Sequence, residues 1–293
     1  MTNELLTVEG LNKSYGKHKA LKNVSFSVRS GEIIGLLGHN GAGKSTLIKC
    51  LMGSVQSYSG KIRVYGVNIR SDHHVIRDHV GFLLEPAFCD YLSARANLEL
   101  LNVMSSEPNK QRVEAVLDMV ALKKFAKKKV GEFSFGMRQR LGLAQVLLTQ
   151  PQLIILDEPT VGLDPLGVEI IKKIIIDCSS KGIAVLFSSH QIHDVLDICH
   201  RTIIMKDGSI VHDGSTAELN KKNYVLHLGE SAEEHRDALQ QLDPALTVTE
   251  NVIRFTNAEA LNAVLGYLQQ NALPVVDMEC ATNMSELMKL IQP

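Results

Sequence analysis

A chain of 293 residues, 45% of them hydrophobic, is long enough for one large domain with its own core plus a smaller second one. Its 31 basic and 32 acidic residues nearly cancel, which argues against a dominant attraction to nucleic acid or anionic lipid. Five scattered cysteines (Cys50, Cys89, Cys178, Cys199 and Cys280), with no CxxC or Cys/His cluster, argue against disulfides and zinc and for a reducing cytosolic compartment.

In chain order, the polar start MTNELLTVEG has no signal-peptide pattern and runs straight into strand-like alternation, LLTVEGL and then NVSFSV with Val24, Phe26 and Val28 on one face. GEIIGLLG is a short apolar run ending in glycines, and STLIKCLMG carries apolar residues at helical spacing. Residues 97–129 read mainly as helix with a break at SSEPNK. Two further buried strands read LIILD and AVLFSS, and TIIMKDG with SIVHDG predicts a hairpin across Asp207 and Gly208. Strands alternating with helices predict an α/β core with parallel strands. The longest apolar runs, GEIIGLLG and QLIILDEP, fall far short of the ~20 residues of a membrane helix, so a membrane role is expected to come through a partner.

Near residue 220 the composition turns polar, in ELNKKN. The rest has its own periodicity: strand YVLHLG, helix AEEHRDALQQL, strand LTVTENVIRFT (one strand, or two with a turn at Glu250 and Asn251), helix AEALNAVLGYLQQ, strand PVVDMEC and helix SELMKLI. The expected division is residues 1–220 and a small α+β unit over 221–293.

The chemistry begins at residues 38–46: Gly38, His39, Asn40, Gly41, Ala42, Gly43, Lys44, Ser45 and Thr46 match GxxxxGK[ST] between a strand and a helix. Glycines let backbone N–H groups curl around phosphates, Lys44 reaches the β- and γ-phosphates, and the Ser45 hydroxyl suits Mg²⁺. The competing reading is a glycine turn that binds nothing. The strand LIILDEP ends in Asp157 and Glu158. Placed beside the loop's own strand, it would bring Asp157 to the Mg²⁺ and Glu158 to the attacking water.

At this point the chain resembles the ATP-binding cassette ATPases over residues from about 5 to about 220, because further motifs follow in that family's order. Residues 133–140, FSFGMRQR, stand where the family has its signature, usually read LSGGQ; VGLDP matches the D-loop, Ser188-Ser189-His190 the switch histidine, and Tyr15 the aromatic that stacks on adenine. The resemblance implies a P-loop NTPase cassette: a RecA-like α/β core with an antiparallel β subdomain and a helical subdomain over about residues 88–150. It implies ATP and Mg²⁺ as ligands, His190 contacting the γ-phosphate and holding Glu158, and Ser134, Phe135, Gly136 and Met137 at a helix N-terminus facing the nucleotide of a second copy. Asp164 would meet that copy's phosphate loop. It also implies an integral-membrane permease as partner and a place at the cytoplasmic face of the membrane.

Two departures stand out. Glu85, in GFLLEPA, replaces the usual glutamine and can still ligand Mg²⁺. Phe135 replaces the first signature glycine and cannot take positive φ cheaply, so either the backbone there is ordinary or the contact with the second copy is weaker, while Met137 replaces the signature glutamine. Both resemble the subfamily of bacitracin resistance and lantibiotic self-immunity, which implies export of a peptide antibiotic or other amphipathic compound. Two alternatives stay open: a soluble cassette ATPase acting on ribosomes or nucleic acid, against which stand the single cassette and near-neutral charge, and the ATPase of a sensing complex.

Overall fold

The computed structural model of the chain describes residues 4–103 and 109–284. These fall into two units, Met1–Gly214 and Ser215–Pro293, each with its own apolar core. Strands β1 (Glu4–Tyr15) and β2 (His18–Arg29) form an antiparallel hairpin whose register sets Leu6 against Val28, Val8 against Phe26 and Leu11 against Val24. All six are buried, so the alternation in LLTVEGL and NVSFSV is the inner face of a sheet. β3 (Ile33–Leu37) is buried at every position and feeds the glycine loop, after which α1 (Lys44–Leu51) begins. β4 (Ser59–Val64) and β5 (Val67–Asn68) complete an antiparallel sheet of order β2-β1-β4-β5.

The second sheet of this unit is the α/β core. α2 (His74–His79) leads into β6 (Val80–Leu83), and then α3 (Ala94–Val103), α4 (Lys110–Met119) and α5 (Phe135–Leu148) pack on one another. There follow β7 (Leu153–Leu156), α6 (Pro165–Ser180), β8 (Ala184–Ser189), α7 (Ile192–Ile198), β9 (Arg201–Lys206) and β10 (Ser209–Ser215). The order is β10-β9-β3-β8-β7-β6, and the pairs from β9 to β6 are parallel. Covered on both faces, β7 and β8 read as the continuous apolar runs LIIL and AVLFSS. Parallel strands put their C-terminal ends on one edge, so the segments after β3, β7 and β8 converge there. One expectation is corrected: β7 is not beside β3. β8, buried at all six positions, takes that central place, and Asp157 lies one strand further from the loop. Asp207 (φ 48°) and Gly208 (φ 82°) form the two-residue turn between β9 and β10 that Asp-Gly favours.

The second unit holds α8 (Thr216–Leu219), β11 (Lys222–Leu228), α9 (Arg236–Leu242), β12 (Thr247–Thr249), β13 (Val252–Phe255), α10 (Ala260–Gln270) and β14 (Val275–Thr282). Its sheet is antiparallel, in the order β12-β13-β11-β14. LTVTENVIRFT is two strands, separated where Glu250 takes a left-handed φ of 47°. α10 buries Ala260, Val264 and Leu268, a four-residue spacing that keeps one helix face inward. Tyr224 stacks on its register partner Phe255 at 5.2 Å. The helix expected over residues 285–291 lies outside the described residues. Among the described residues, no helix is long and apolar enough to cross a membrane.

Candidate functional site

The glycine loop leaves β3 and turns at once into α1. Gly43 stands at the helix N-cap with φ 106°, and a Cβ there would lie 2.7 Å from the Ala20 carbonyl oxygen. Backbone conformation and space therefore both demand glycine. Ala42, fully buried, donates its N–H to the His39 carbonyl at 3.1 Å and closes the loop. The Lys44 ammonium is buried and donates to the Gly38 carbonyl at 2.6 Å. Over this loop lies a cavity of about 340 Å³. Its floor is His39, Asn40, Gly41, Gly43, Lys44, Ser45 and Thr46; Tyr15, His18 and Ala20 of the β1–β2 hairpin form one wall, and Glu158 reaches in from the end of β7.

Glu158 is held at several atoms. Its backbone N–H donates to Ser188 Oγ at 2.9 Å, and that hydroxyl donates to Asp157 Oδ1 at 2.6 Å. One serine at the end of β8 thus ties both acids of β7 to the neighbouring strand. The Glu158 carboxylate lies between the Lys44 ammonium at 3.6 Å and His190 Nδ1 at 2.9 Å. With its proton on Nδ1, His190 donates to Glu158. The backbone of Glu158 is left-handed (φ 49°), which costs about 1–3 kcal/mol outside glycine and persists where surrounding bonds over-determine it.

Those bonds extend one layer deeper. The Thr160 hydroxyl donates to the buried Asp194 of α7 at 2.6 Å, and Asp194 lies 3.2 Å from the Lys172 ammonium of α6. Lys172 also meets Asp197 at 2.7 Å. Burial alone would lower the Lys172 pKa, but hydrogen bonds to Asp197 and Asp194 outweigh it and hold the group above the ordinary lysine value. The arm carrying Glu158 and the arm carrying His190 are therefore fastened to each other behind the cavity.

The signature segment does not line this cavity. Ser134 caps α5, its hydroxyl accepting the Met137 N–H at 3.3 Å while its own proton stays free to donate. Phe135 is the first residue of α5, with the ordinary backbone expected of a residue bearing a Cβ, and its ring lies against the D-loop: a Cβ on Gly162 would meet Phe135 Cε1 at 3.2 Å. A Cβ on Gly136 would meet Leu163 Cδ2 at 3.3 Å. Asp164 caps α6 by accepting the Gly167 N–H at 3.0 Å. Signature and D-loop form one surface in this chain. Glu85 lies just past β6, exposed and outside the cavity lining. Among the described residues, no three His, Cys, Asp or Glu side chains cluster closely enough to hold a metal by themselves.

Several residues of this region carry no motif of their own. His18 and Ala20 line the cavity because the hairpin register pairs His18 with Tyr15, a signal present in the strand pattern. Thr160, Lys172 and Asp194 come together over long sequence separations, for which the sequence offers no local sign.

The ABC transporter family matches residues 21–161. The chain is 40% identical over 212 residues to the uncharacterized ABC transporter ATP-binding protein YdbJ of Bacillus subtilis (strain 168), covering 72% of this chain and 69% of that protein. It is 35% identical over 221 residues to the bacitracin transport ATP-binding protein BcrA of Bacillus licheniformis, covering 75% and 72%. A match to the uncharacterized ABC transporter ATP-binding protein YhcH of Bacillus subtilis (strain 168), 31% over 287 residues, covers 96% of this chain and 93% of that protein. Among solved structures, an ATP-binding subunit of an ABC transporter aligns with a TM-score of 0.66 at 28% identity, over 74% of this chain and 92% of that one. A dimeric ATP-binding cassette in a post-hydrolysis state, bound to ADP and Pi, aligns with a TM-score of 0.65 at 26% identity, over 72% and 98%. Similarity of this extent, carried into the second unit by the match to YhcH, establishes that the chain belongs to the ATP-binding cassette family as an ABC transporter ATP-binding protein.

Proposed function

We propose that this chain binds ATP and Mg²⁺ in the cavity over the glycine loop, hydrolyses the ATP within a homodimer, and so drives export of a peptide antibiotic or other amphipathic compound through a separate permease. The observation that carries the reading is the Glu158 carboxylate lying between Lys44 and His190, beside a cavity lined by phosphate-loop backbone. The triphosphate lies along residues 38–46, where N–H groups and the start of α1 face it, and Lys44 turns from the Gly38 carbonyl to the phosphates. The residues fit Mg²⁺, a hard cation that takes oxygen donors: Ser45 offers a hydroxyl on the cavity floor and Asp157 a carboxylate already oriented by Ser188. When bound, Mg²⁺ neutralises charge on the β- and γ-phosphate oxygens. Released from Lys44, Glu158 accepts a proton from the attacking water, and His190 fixes its carboxylate and contacts the γ-phosphate. Glu85, exposed and outside the cavity lining, would supply a further carboxylate oxygen to the Mg²⁺.

Support for the shared site comes from the dimeric cassette bound to ADP and Pi and from the signature lying outside its own chain's cavity. Ser134 and the Gly136 N–H then serve the partner's nucleotide, and Asp164 meets the partner's loop. Support for a permease is the similarity to BcrA together with the lack of a membrane-length apolar helix among the described residues. The permease docks near residues 85–97 and holds the chain at the cytoplasmic face of the membrane. The second unit acts as an accessory domain whose described residues are α+β. Replacing Glu158 by glutamine tests the core of this reading: ATP turnover falls about 100-fold or more and a nucleotide-loaded dimer accumulates on size-exclusion chromatography. Wild-type turnover by Glu158→Gln would refute Glu158 as the base.

A further inference from the structure

Lys13 is a buried cation that the phosphate chemistry does not use. It is only 7% exposed, and among the described residues no carboxylate pairs with it. Its ammonium donates to the Ser57 carbonyl at 2.7 Å and lies 4.6 Å from the centroid of the Tyr15 ring. Burying a charge is costly unless it gains partners. The partners here are one carbonyl and one aromatic face.

Lys13 and Tyr15 flank a shift in the β1–β2 register between Lys13 and Ser14, and the Lys13 ammonium still lies over the Tyr15 ring. Tyr15 is half exposed, at 49%, and lines the cavity mouth. A half-exposed tyrosine at the end of a hairpin would ordinarily sample several rotamers. An ammonium within 6 Å of the ring centre attracts the π face and selects one of them. It also draws π density toward itself, which lowers the repulsion that a second aromatic system meets on the opposite face.

We propose that Lys13 is a positioning residue for the nucleobase: it holds one face of Tyr15 so that the other is presented, already oriented, to a stacking purine. The proposal rests on the reading of Tyr15 as the base platform. It separates recognition of the nucleotide into two independent parts. The loop at residues 38–46 senses phosphates whatever base they carry, and the Lys13–Tyr15 pair senses the base.

The test compares ATP with inorganic tripolyphosphate, which has no base, by isothermal titration calorimetry in EDTA on the full chain. Lys13→Met keeps the aliphatic stem and removes the charge. It should raise the Kd for ATP about threefold to fivefold and leave the Kd for tripolyphosphate unchanged. Lys13→Arg, which keeps a cation over the ring, should restore ATP binding. Unchanged tripolyphosphate binding also shows that the loop of the variant is folded. Unchanged ATP binding by Lys13→Met, or equal weakening of both ligands, overturns the proposal. Tyr15→Leu separates the two levels. If it leaves the ATP Kd unchanged, the base platform itself is wrong and the proposal falls with it. If Tyr15→Leu weakens ATP and Lys13→Met does not, the proposal alone fails.

Discussion

Asp194→Ala is the sharpest test of how the cavity is supported from behind. Asp194 is 4% exposed and holds two groups, the Thr160 hydroxyl at 2.6 Å and the Lys172 ammonium at 3.2 Å. Removing one partner of a buried pair costs about 3–5 kcal/mol. Lys172 keeps Asp197 at 2.7 Å, so the lower end applies, about 3 kcal/mol. The stranded Thr160 hydroxyl adds about 1 kcal/mol. For a unit of this size the sum, about 4 kcal/mol, lowers the midpoint of thermal unfolding by roughly 8–16 °C. Differential scanning calorimetry reads that shift. Asp194→Asn keeps an acceptor for Thr160 and should lose less, and Asp197→Ala, removing an acid that is 55% exposed, should cost under about 1 kcal/mol. The raised Lys172 pKa sets the sign with pH. Its stabilisation is fully present below the ordinary value of 10.5 and is lost as pH rises through the folded value above it. A larger loss for Asp197→Ala than for Asp194→Ala, or no shift for the latter, would refute the reasoning.

Other outcomes follow from the geometry. Gly43→Ala must displace either the loop or Ala20, so it should weaken ATP binding at least about tenfold and destabilise by about 1–3 kcal/mol, read by calorimetry and thermal shift. Burial pushes the Cys50 and Cys178 thiols up to about 11 and raises Cys199 as well, whereas Cys280 is exposed. At pH 8, iodoacetamide followed by mass spectrometry should therefore mark Cys280 in the native chain and reach the three buried thiols only after unfolding. Glu85→Gln should shift the Mg²⁺ concentration that half-saturates ATPase activity; an unchanged titration would remove Glu85 from the metal sphere.

Much of the core was legible because its signals are local. GEIIGLLG, LIILD and AVLFSS announce buried strands by composition alone, and the glycine motif locates the turn that α1 requires. Asp-Gly at residues 207 and 208 fixes the hairpin, as its left-handed angles require. Strand order is another matter. Nothing in LIILD tells it to stand two places from β3, because that depends on which strand fills the centre. β6 and β4 left little trace, one being four residues with a glycine and the other opening Ser-Gly-Lys. At the site, residue types such as Lys44, Glu158 and His190 are readable from their motifs. Their distances are not, nor is the role of Ser188, which looks like any serine until β8 lies against β7. The packing of Phe135 on Gly162 was equally silent, since it joins residues 27 apart across two loops.

The chain contains no tryptophan and six tyrosines. Tyr15 is the tyrosine that lines the cavity, half exposed, with the Lys13 ammonium over its ring. Tryptophan is the strongest partner for a cation over its face, so Tyr15→Trp keeps the arrangement that Lys13 imposes. It also makes the molecule optically simple: one indole, excited without background, at the point where a base would arrive. A stopped-flow trace from that single emitter would time the arrival of the base, while a tripolyphosphate control timed the filling of the loop alone. The same hairpin that shapes the pocket is thus a ready place to build a clock for its occupancy.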